Sequence, residues 1–399
     1  MLKAWQRGET PDREEEILAY EEEFARAIGV SHAFSFGAGR MAFYAILEAM
    51  NIGPEDEVIL PAYTCVVVAN AILYRGAQPV YVDIEPFTFN IDVNQVESAI
   101  TSRTRALYAQ HTFGVPCNLA ALQDIGARHG IPIIEDGGHA LGATINGRPV
   151  GSFTEASYFT TDHSKMTSTY LGGIAATNDP AIARRIRAIQ QKSPFPDLNS
   201  HNRLLISFLL EYPLSAPTVL WLGKPFLGVL FRLKLLFGYL DELLTTPPSA
   251  YPYPCRLSSQ QASLGRSQLR LLGANLAHRR RLAEMLESHI AWYGMDKAEM
   301  AQSSWLRYSF LVRDRAALEK FFRKHFDLGI WFTSPLHGRK ENLEAVGYTP
   351  GSCRVAEWVS GHIANFPTHP QIPLETLENE MVKSAPWIRS QLLSPQLSP

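Results

Sequence analysis

Apolar positions along this chain change their spacing several times, and each change marks an element. In residues 11–28, Ile17, Leu18, Phe24, Ala25 and Ile28 recur at helical spacing, while Glu14, Glu15, Glu16, Glu21, Glu22 and Glu23 fill the other face. That predicts an amphipathic helix with a solvated acidic side. Short apolar runs follow at 33–36, 57–61, 80–83, 106–110 and 131–135, and they alternate with helical patterns at 66–74 and 119–129. Another helix is expected after Gly37-Ala38-Gly39-Arg40, with Met41, Ala45, Ile46 and Ala49 on one side. Strands and helices in alternation predict an α/β fold, a mainly parallel sheet with helices on both faces. Ligands of such sheets bind in the loops at the carboxyl ends of the strands.

Past Pro194 the pattern changes. Residues 204–240 are rich in Leu, Phe and Trp, interrupted by prolines and by Lys224, Arg232 and Lys234. Their longest uncharged run, 212–223, contains Pro213 and Pro217 and falls short of the roughly 20 apolar residues a spanning helix needs. The stretch reads as an insertion of short helices. It is either a hairpin packed on the body or on a second subunit, or a monotopic patch on a membrane with Trp221 and the basic residues at the interface. A proline-rich connector, 247–254, ends it. A long helix over 258–290 follows, with a break near Gly273 and a solvated basic cluster, Arg279-Arg280-Arg281. The remainder has a strand-like 306–312, a helix near 316–325, a turn-rich 331–337 and a last helix after 363–370. This predicts a large domain over 1–255, including the N-terminal helix and the insertion at about 200–250. A connecting helix and small α+β domain occupy 256–399.

Composition narrows the classes. A chain of 399 residues with 46% hydrophobic and 19% charged residues has the profile of a compact fold. A formal charge of −2 leaves no electrostatic footprint for nucleic acid. The cysteines Cys65, Cys117, Cys255 and Cys353 are far apart, without metal-ligand spacing, which fits reduced thiols in the cytosol. Residues 1–13 are polar and show no signal-peptide pattern.

The chemistry concentrates in 133–173. This stretch opens Ile133-Ile134-Glu135-Asp136-Gly137-Gly138-His139, an apolar run breaking into acids, glycines and an imidazole. It closes on Thr160-Thr161-Asp162-His163-Ser164-Lys165, then Gly172-Gly173. A carboxylate at a strand mouth and a lone lysine in a polar turn are what a pyridoxal 5′-phosphate (PLP) site requires. The lysine holds the cofactor as a Schiff base, and the carboxylate keeps the pyridine nitrogen protonated. Each half alone also has an ordinary reading, Lys165 as a surface lysine and Asp136 as a helix cap. Gly37-Ala38-Gly39-Arg40 reads either as an anion site at a helix N-terminus, with Arg40 adding a charged contact, or as a plain strand-to-helix turn. His111 reads as a packing or hydrogen-bonding residue.

Several longer motifs occur in order. They are 53–61 (GPEDEVILP), 76–83 (GAQPVYVD), 134–143 (IEDGGHALGA), Gly147-Arg148 with 150–153 (VGSF), and Ser164-Lys165 followed by Gly172-Gly173. In these the chain resembles the DegT/DnrJ/StrS-type aminotransferases, PLP enzymes of fold type I acting on nucleotide-linked keto-sugars. The resemblance runs from about 15 to 388, apart from the insertion. It implies that Lys165 is the cofactor-bearing lysine and proton shuttle, that Asp136 pairs with the ring nitrogen, and that His139 lies near the ring. It also implies that Thr160 binds the phosphate, that Ala38 and Gly39 form the phosphate loop, and that Arg256 crosses to a partner's site in a homodimer. The family's Ser-Gly-Thr phosphate loop is here Gly37-Ala38-Gly39-Arg40, so Arg40 is expected to supply the lost contact. Cys65 stands where an aromatic residue often stacks on the ring, and Tyr63 is the expected substitute. Tyr170-Leu171 replaces Gly-Glu, and Pro254 replaces an asparagine. Relatives that dehydrate sugars carry histidine at the lysine, and Lys165 argues against that branch.

The implied activity moves an amino group from an amino acid, glutamate by expectation, to a keto-sugar carried on a nucleotide, in polysaccharide or glycan assembly. The expected location is the cytoplasm, peripheral at the inner face of the membrane only under the monotopic reading of 204–240. Two other readings stand beside it. One is a different fold type I activity such as an aldolase or lyase, and the other is a non-catalytic docking role in a membrane-associated assembly complex.

Overall fold

A computed structural model of the chain describes residues 13–196, 251–323 and 328–394, and 203–236 apart from 205, 208, 211–212, 215–219 and 234. Residues 1–12, the start of the 247–254 connector, residues 324–325 of the expected helix, the Trp221 side chain and the tail beyond Ser394 lie outside the described residues.

The central sheet has seven strands, in the order His32–Phe36, Gly173–Thr177, Ala156–Thr160, Ile133–Asp136, Thr104–Gln110, Glu57–Pro61 and Gln78–Val82. Gly173–Thr177 is antiparallel to both neighbours, and the other pairs are parallel. The expected mainly parallel α/β sheet is therefore present. Alternate residues feed two cores. Val58, Leu60, Ala106 and Tyr108 face one side, and Ile59, Leu107 and Ala109 face the other. Burial on both faces is why these strands read as continuous apolar runs. Helices Gly39–Ala49, Val66–Tyr74 and Pro180–Lys192 cover the first side. Glu14–Ile28 and Leu119–His129 cover the second.

The helix Ser259–Ile290 opens on a capping box formed by Ser258 and Gln261. It runs unbroken through Gly273, contrary to the expected break. A Cβ at Gly273 would meet nothing within 4 Å, so that glycine marks an open face and not a kink. The Arg279–Arg281 cluster is not uniformly solvated either. Arg279 is 4% exposed and donates to Asn275, to the Leu306 carbonyl and to Thr368. Arg280 ties the helix to the Ser303 and Gly142 carbonyls. These arginines bolt the long helix to the elements on either side of it.

Beyond the helix, Arg307–Leu311 pairs antiparallel with Ile363–Pro367, flanked by helices Arg315–Phe322, Arg354–His362 and Leu374–Gln391. Their core takes in Ala62, Tyr63, Phe89 and Phe113 from loops at the carboxyl ends of the sheet strands. The C-terminal layer therefore lies over the edge where an α/β sheet binds its ligands.

Candidate active site

A cleft of about 270 Å³ opens at that edge, lined by Ala38, Gly39, Arg40, Cys65, Asp136, His139, Thr160 and Lys165 among others. Eight of the ten residues singled out in the sequence meet here. Tyr63 and Arg256 do not.

Glycine contacts shape one end of the cleft. The helix Gly39–Ala49 starts at Gly39, with Ala38 as its N-cap, so its first amides and its positive dipole end face the cleft. A Cβ at Gly39 would sit 2.6 Å from the Thr160 Cβ, and one at Gly173 would sit 2.4 Å from the Gly39 Cα. A Cβ at Gly138 would lie 2.8 Å from Asp136 Oδ1 and 3.0 Å from Thr160 Cγ2. Three backbone segments meet here with no room for side chains. Such a cradle suits an anion held by amides, with Arg40 and Thr160 beside it, and it fits the phosphate of PLP. Gly39→Val is expected to lower stability by about 1–3 kcal/mol through overpacking and to weaken phosphate binding. Urea denaturation and PLP titration check the two effects.

Asp136 ends its strand next to that cradle. Its Oδ1 accepts from the Gly138 amide at 2.7 Å, and its Oδ2 accepts from the Tyr108 hydroxyl at 2.5 Å. Its neighbour Glu135 points to the opposite face of the sheet. There it accepts from the Gly151 and Phe153 amides and pairs with the buried His111 at 3.3 Å. His111 Nδ1 accepts from the Cys117 amide, which is the hydrogen-bonding role expected of it.

Lys165 is carried on a loop that closes on itself. Thr161 donates its amide to the Gly172 carbonyl, and the Thr161 and Thr169 hydroxyls bond at 2.7 Å. The long helix clamps this loop from outside: Gln261 donates to the Leu171 carbonyl, and Asn275 donates to the Met166 carbonyl. Lys165 Nζ lies 4.9 Å from the centroid of the Trp331 ring. Burial pushes its pKa below the usual lysine value, while the adjacent Asp162 opposes the shift. Asp162 accepts from the Ser164 amide and pairs with His163 at 3.0 Å.

His139 Nδ1 accepts from the Phe113 amide at 3.2 Å, and its ring stacks on Phe113. Burial, with Lys165 nearby, pushes the imidazole well below its usual value. With Nδ1 occupied, Nε2 carries the proton of the neutral ring. Burial likewise lowers His337, which lines the cleft, and His369, which does not, each to about 4. Both folded values lie below the ordinary histidine value of about 6.5, so the unfolded chain takes up protons first. Stability is expected to fall as pH drops from about 6.5 to about 4. Urea midpoints across that window test this, and His369→Gln should flatten the slope.

Tyr63 corrects an expectation. It is fully buried, donates its hydroxyl to the Phe332 carbonyl at 2.9 Å and packs on Phe89 and Phe332. It therefore belongs to the C-terminal core and does not line the cleft as a stacking partner. Its neighbours Thr64 and Cys65 do line it, because the chain turns between them and Tyr63. Arg256 donates to both oxygens of Glu14 at 2.6 Å and lies over Phe195. Sequence reasoning missed Tyr108, Tyr158, Gln110, Trp331 and Asp162. Tyr158 and Asp162 stood inside the singled-out stretch, but only strand register shows that Tyr158 faces Asp136.

Comparison with known proteins agrees with this geometry. The family profile of the DegT/DnrJ/EryC1/StrS aminotransferases matches residues 1–201 and 243–383 and leaves out most of the apolar insertion. The chain is 38% identical to GDP-perosamine synthase of Caulobacter vibrioides over 181 residues, 45% of this chain and 49% of that protein. It is 38% identical over 170 residues to the UDP-4-amino-4-deoxy-L-arabinose–oxoglutarate aminotransferase of Shewanella sediminis, 43% of this chain and 44% of that protein. The matched part thus spans about half the length of these relatives. A DegT DnrJ EryC1 StrS aminotransferase structure from Brucella abortus superposes with a TM-score of 0.72 at 20% identity, covering 98% of this chain and 94% of that one. GDP-4-keto-6-deoxymannose-3-dehydratase, solved with a trapped PLP-glutamate geminal diamine, superposes with a TM-score of 0.71 at 20% identity, covering 97% and 96%. An aminotransferase and a dehydratase on one fold show that the fold does not choose the reaction. Ordered motifs, a sheet with one antiparallel strand, a cleft shared by Lys165, Asp136 and the glycine cradle, and a family profile that matches most of the chain converge on one assignment: the chain belongs to the DegT/DnrJ/EryC1/StrS aminotransferase family.

Proposed function

We propose that the protein is a PLP-dependent aminotransferase that moves an amino group from an amino acid, glutamate by expectation, to a nucleotide-linked keto-sugar in glycan biosynthesis. The observation that carries this reading is the half-buried Lys165 in one cleft with Asp136 and the Gly39–Thr160 cradle. When bound, PLP supplies an electron sink that stabilises negative charge at the donor's α-carbon. The amides at Gly39, with Arg40 and Thr160, hold the phosphate. Asp136 holds positive charge at the ring nitrogen. Lys165 Nζ, eased toward its neutral form by burial, takes and returns the proton at the α-carbon. His139, a neutral donor at Nε2, orients the ring. Cys65 lines the cleft, and Trp331 lines it from the C-terminal side.

The site divides between a large domain, 1–255, and a C-terminal one, 256–399. Arg256 is assigned to a shared site in a homodimer, which requires it to leave Glu14 when the partner docks. The segment 204–240 fits an anionic membrane surface at the cytoplasmic face. Phe226 and Val229 on helix Leu220–Arg232, and Leu233 just after it, are 50–62% exposed, and Ile206 and Leu209 are exposed as well. Residues 212–240 carry Lys224, Arg232 and Lys234 and no acid, which complements anionic headgroups. No helix among the described residues is long and apolar enough to cross a membrane.

The deciding experiment mixes PLP-loaded protein with amino donors and follows the cofactor's absorbance. Conversion to the amine form with release of the keto acid supports the aminotransferase. Bond cleavage without that conversion supports an aldolase or lyase, and absence of a cofactor band supports a non-catalytic docking role. Flotation with anionic vesicles tests the membrane contact. Failure to float, with dimers lost in Phe226→Glu, would assign the face to a second subunit.

A further inference from the structure

Behind Asp136 stands a pair of phenols that the proposed mechanism has not used. Register places them: Asp136 lies opposite Tyr158 on one neighbouring strand, and Gln110, two residues past Tyr108, lies opposite Asp136 on the other. Tyr108 and Tyr158 thus project from strands flanking Asp136 onto the same side of the sheet. They are 0% and 4% exposed, beside an Asp136 that is 9% exposed. Tyr108 donates to Asp136 Oδ2 at 2.5 Å, and the two phenol oxygens lie 2.5 Å apart. A phenol has one proton, and an ionised carboxylate only accepts. Because the Tyr108 proton is committed to Asp136, the second bond runs from the Tyr158 hydroxyl to the Tyr108 oxygen. Chained hydrogen bonds polarise one another, so the outer phenol strengthens the inner contact. Phe43 fixes both rings. It stacks on Tyr158 at 5.1 Å and meets Tyr108 edge-on at 5.3 Å. With the Gly138 amide on Oδ1, both carboxylate oxygens are tethered from the protein side, and the carboxylate cannot turn.

The geometry points to Tyr108 and Tyr158 as positioning residues, a two-phenol relay that fixes the Asp136 carboxylate in the orientation in which it meets the cofactor's ring nitrogen. This rests on the reading of Asp136 as the ring-nitrogen partner. Burial and the Asp136 charge hold both phenols well above the usual tyrosine range, so they remain donors at any working pH. Neither phenol needs to touch a reacting atom. Their effect reaches the chemistry through the one carboxylate they hold.

The test uses full-length PLP-loaded protein and two readouts besides turnover: PLP affinity, and the pH midpoint of the bound cofactor's absorbance. Tyr108→Phe and Tyr158→Phe keep the rings packed on Phe43 and remove only the hydroxyls. Each is expected to weaken PLP binding, Tyr108→Phe by roughly 10-fold and Tyr158→Phe by less, and to move the pH midpoint. Both effects should vanish in an Asp136→Asn background. Tyr308→Phe is the control. It removes another buried phenol, bonded to Glu287 at 2.5 Å in the C-terminal layer, and should lower stability without moving the absorbance midpoint. If Tyr108→Phe fails to fold, Tyr158→Phe carries the test. Unchanged affinity and midpoint in the foldable phenol variants, or equal losses in the Asp136→Asn background, would overturn the relay and leave the aminotransferase reading intact. Unchanged PLP affinity and absorbance in Asp136→Asn itself would instead overturn the assignment of Asp136, and the relay with it.

Discussion

Lys165→Ala is expected to reduce amino transfer by roughly 10⁴-fold, the upper end of the range for loss of a positioned general base. The reason is the poverty of alternatives in the cleft. His139 has Nδ1 committed to the Phe113 amide, and His337 has Nδ1 committed to the Phe332 amide at 3.1 Å. Each therefore presents a donor, not a base, unless its backbone partner is given up. The cradle at Gly39 and the carboxylate of Asp136 do not depend on Lys165, so the variant should still bind PLP non-covalently. Single-turnover absorbance with an amino donor separates the two steps. A variant within about tenfold of the parent rate would remove Lys165 from the mechanism.

Asp136→Ala should be the second largest effect, falling first on the cofactor. Taking one partner from a buried ion pair costs about 3–5 kcal/mol, so PLP affinity is expected to drop by roughly 10²- to 10⁴-fold. The substitution also leaves the Gly138 amide and the Tyr108 hydroxyl without their acceptor. The apoprotein should therefore lose about 1–3 kcal/mol for each unpaired buried donor. Asp136→Asn separates these costs, because its side-chain oxygen can still accept from one donor while the negative charge is gone. Binding isotherms and urea curves for both variants give the two numbers independently. Parent-like PLP affinity in Asp136→Asn would show that charge at this position is not what holds the ring.

The sequence carried the elements that depend on local pattern. Helices 66–74 and 119–129 were legible from apolar spacing, and the structure has them as Val66–Tyr74 and Leu119–His129. The 133–173 stretch was legible as the place where polar chemistry gathers, and the structure brings its Asp136, Thr160 and Lys165 into one cleft. The antiparallel strand Gly173–Thr177 was not. Its neighbours lie at 32–36 and 156–160, and no local period reveals which strand pairs with which. The arginines at 279 and 280 look like any solvated basic run until the Leu306, Ser303 and Gly142 carbonyls close on them.

Tyr63 shows the limit most directly. By position it neighbours the ring-stacking residue, but a turn after Pro61 sends its side chain into the C-terminal core, where Phe332 accepts its proton. That partner is 269 residues away. The α/β class and the family could be read from the chain alone, because they are written in short-range patterns and ordered motifs. Packing in three dimensions takes Tyr63 out of the cleft, brings Trp331 into it and sets two phenols against Asp136. Each of those depends on strand register and on packing between distant segments, which no local spacing encodes.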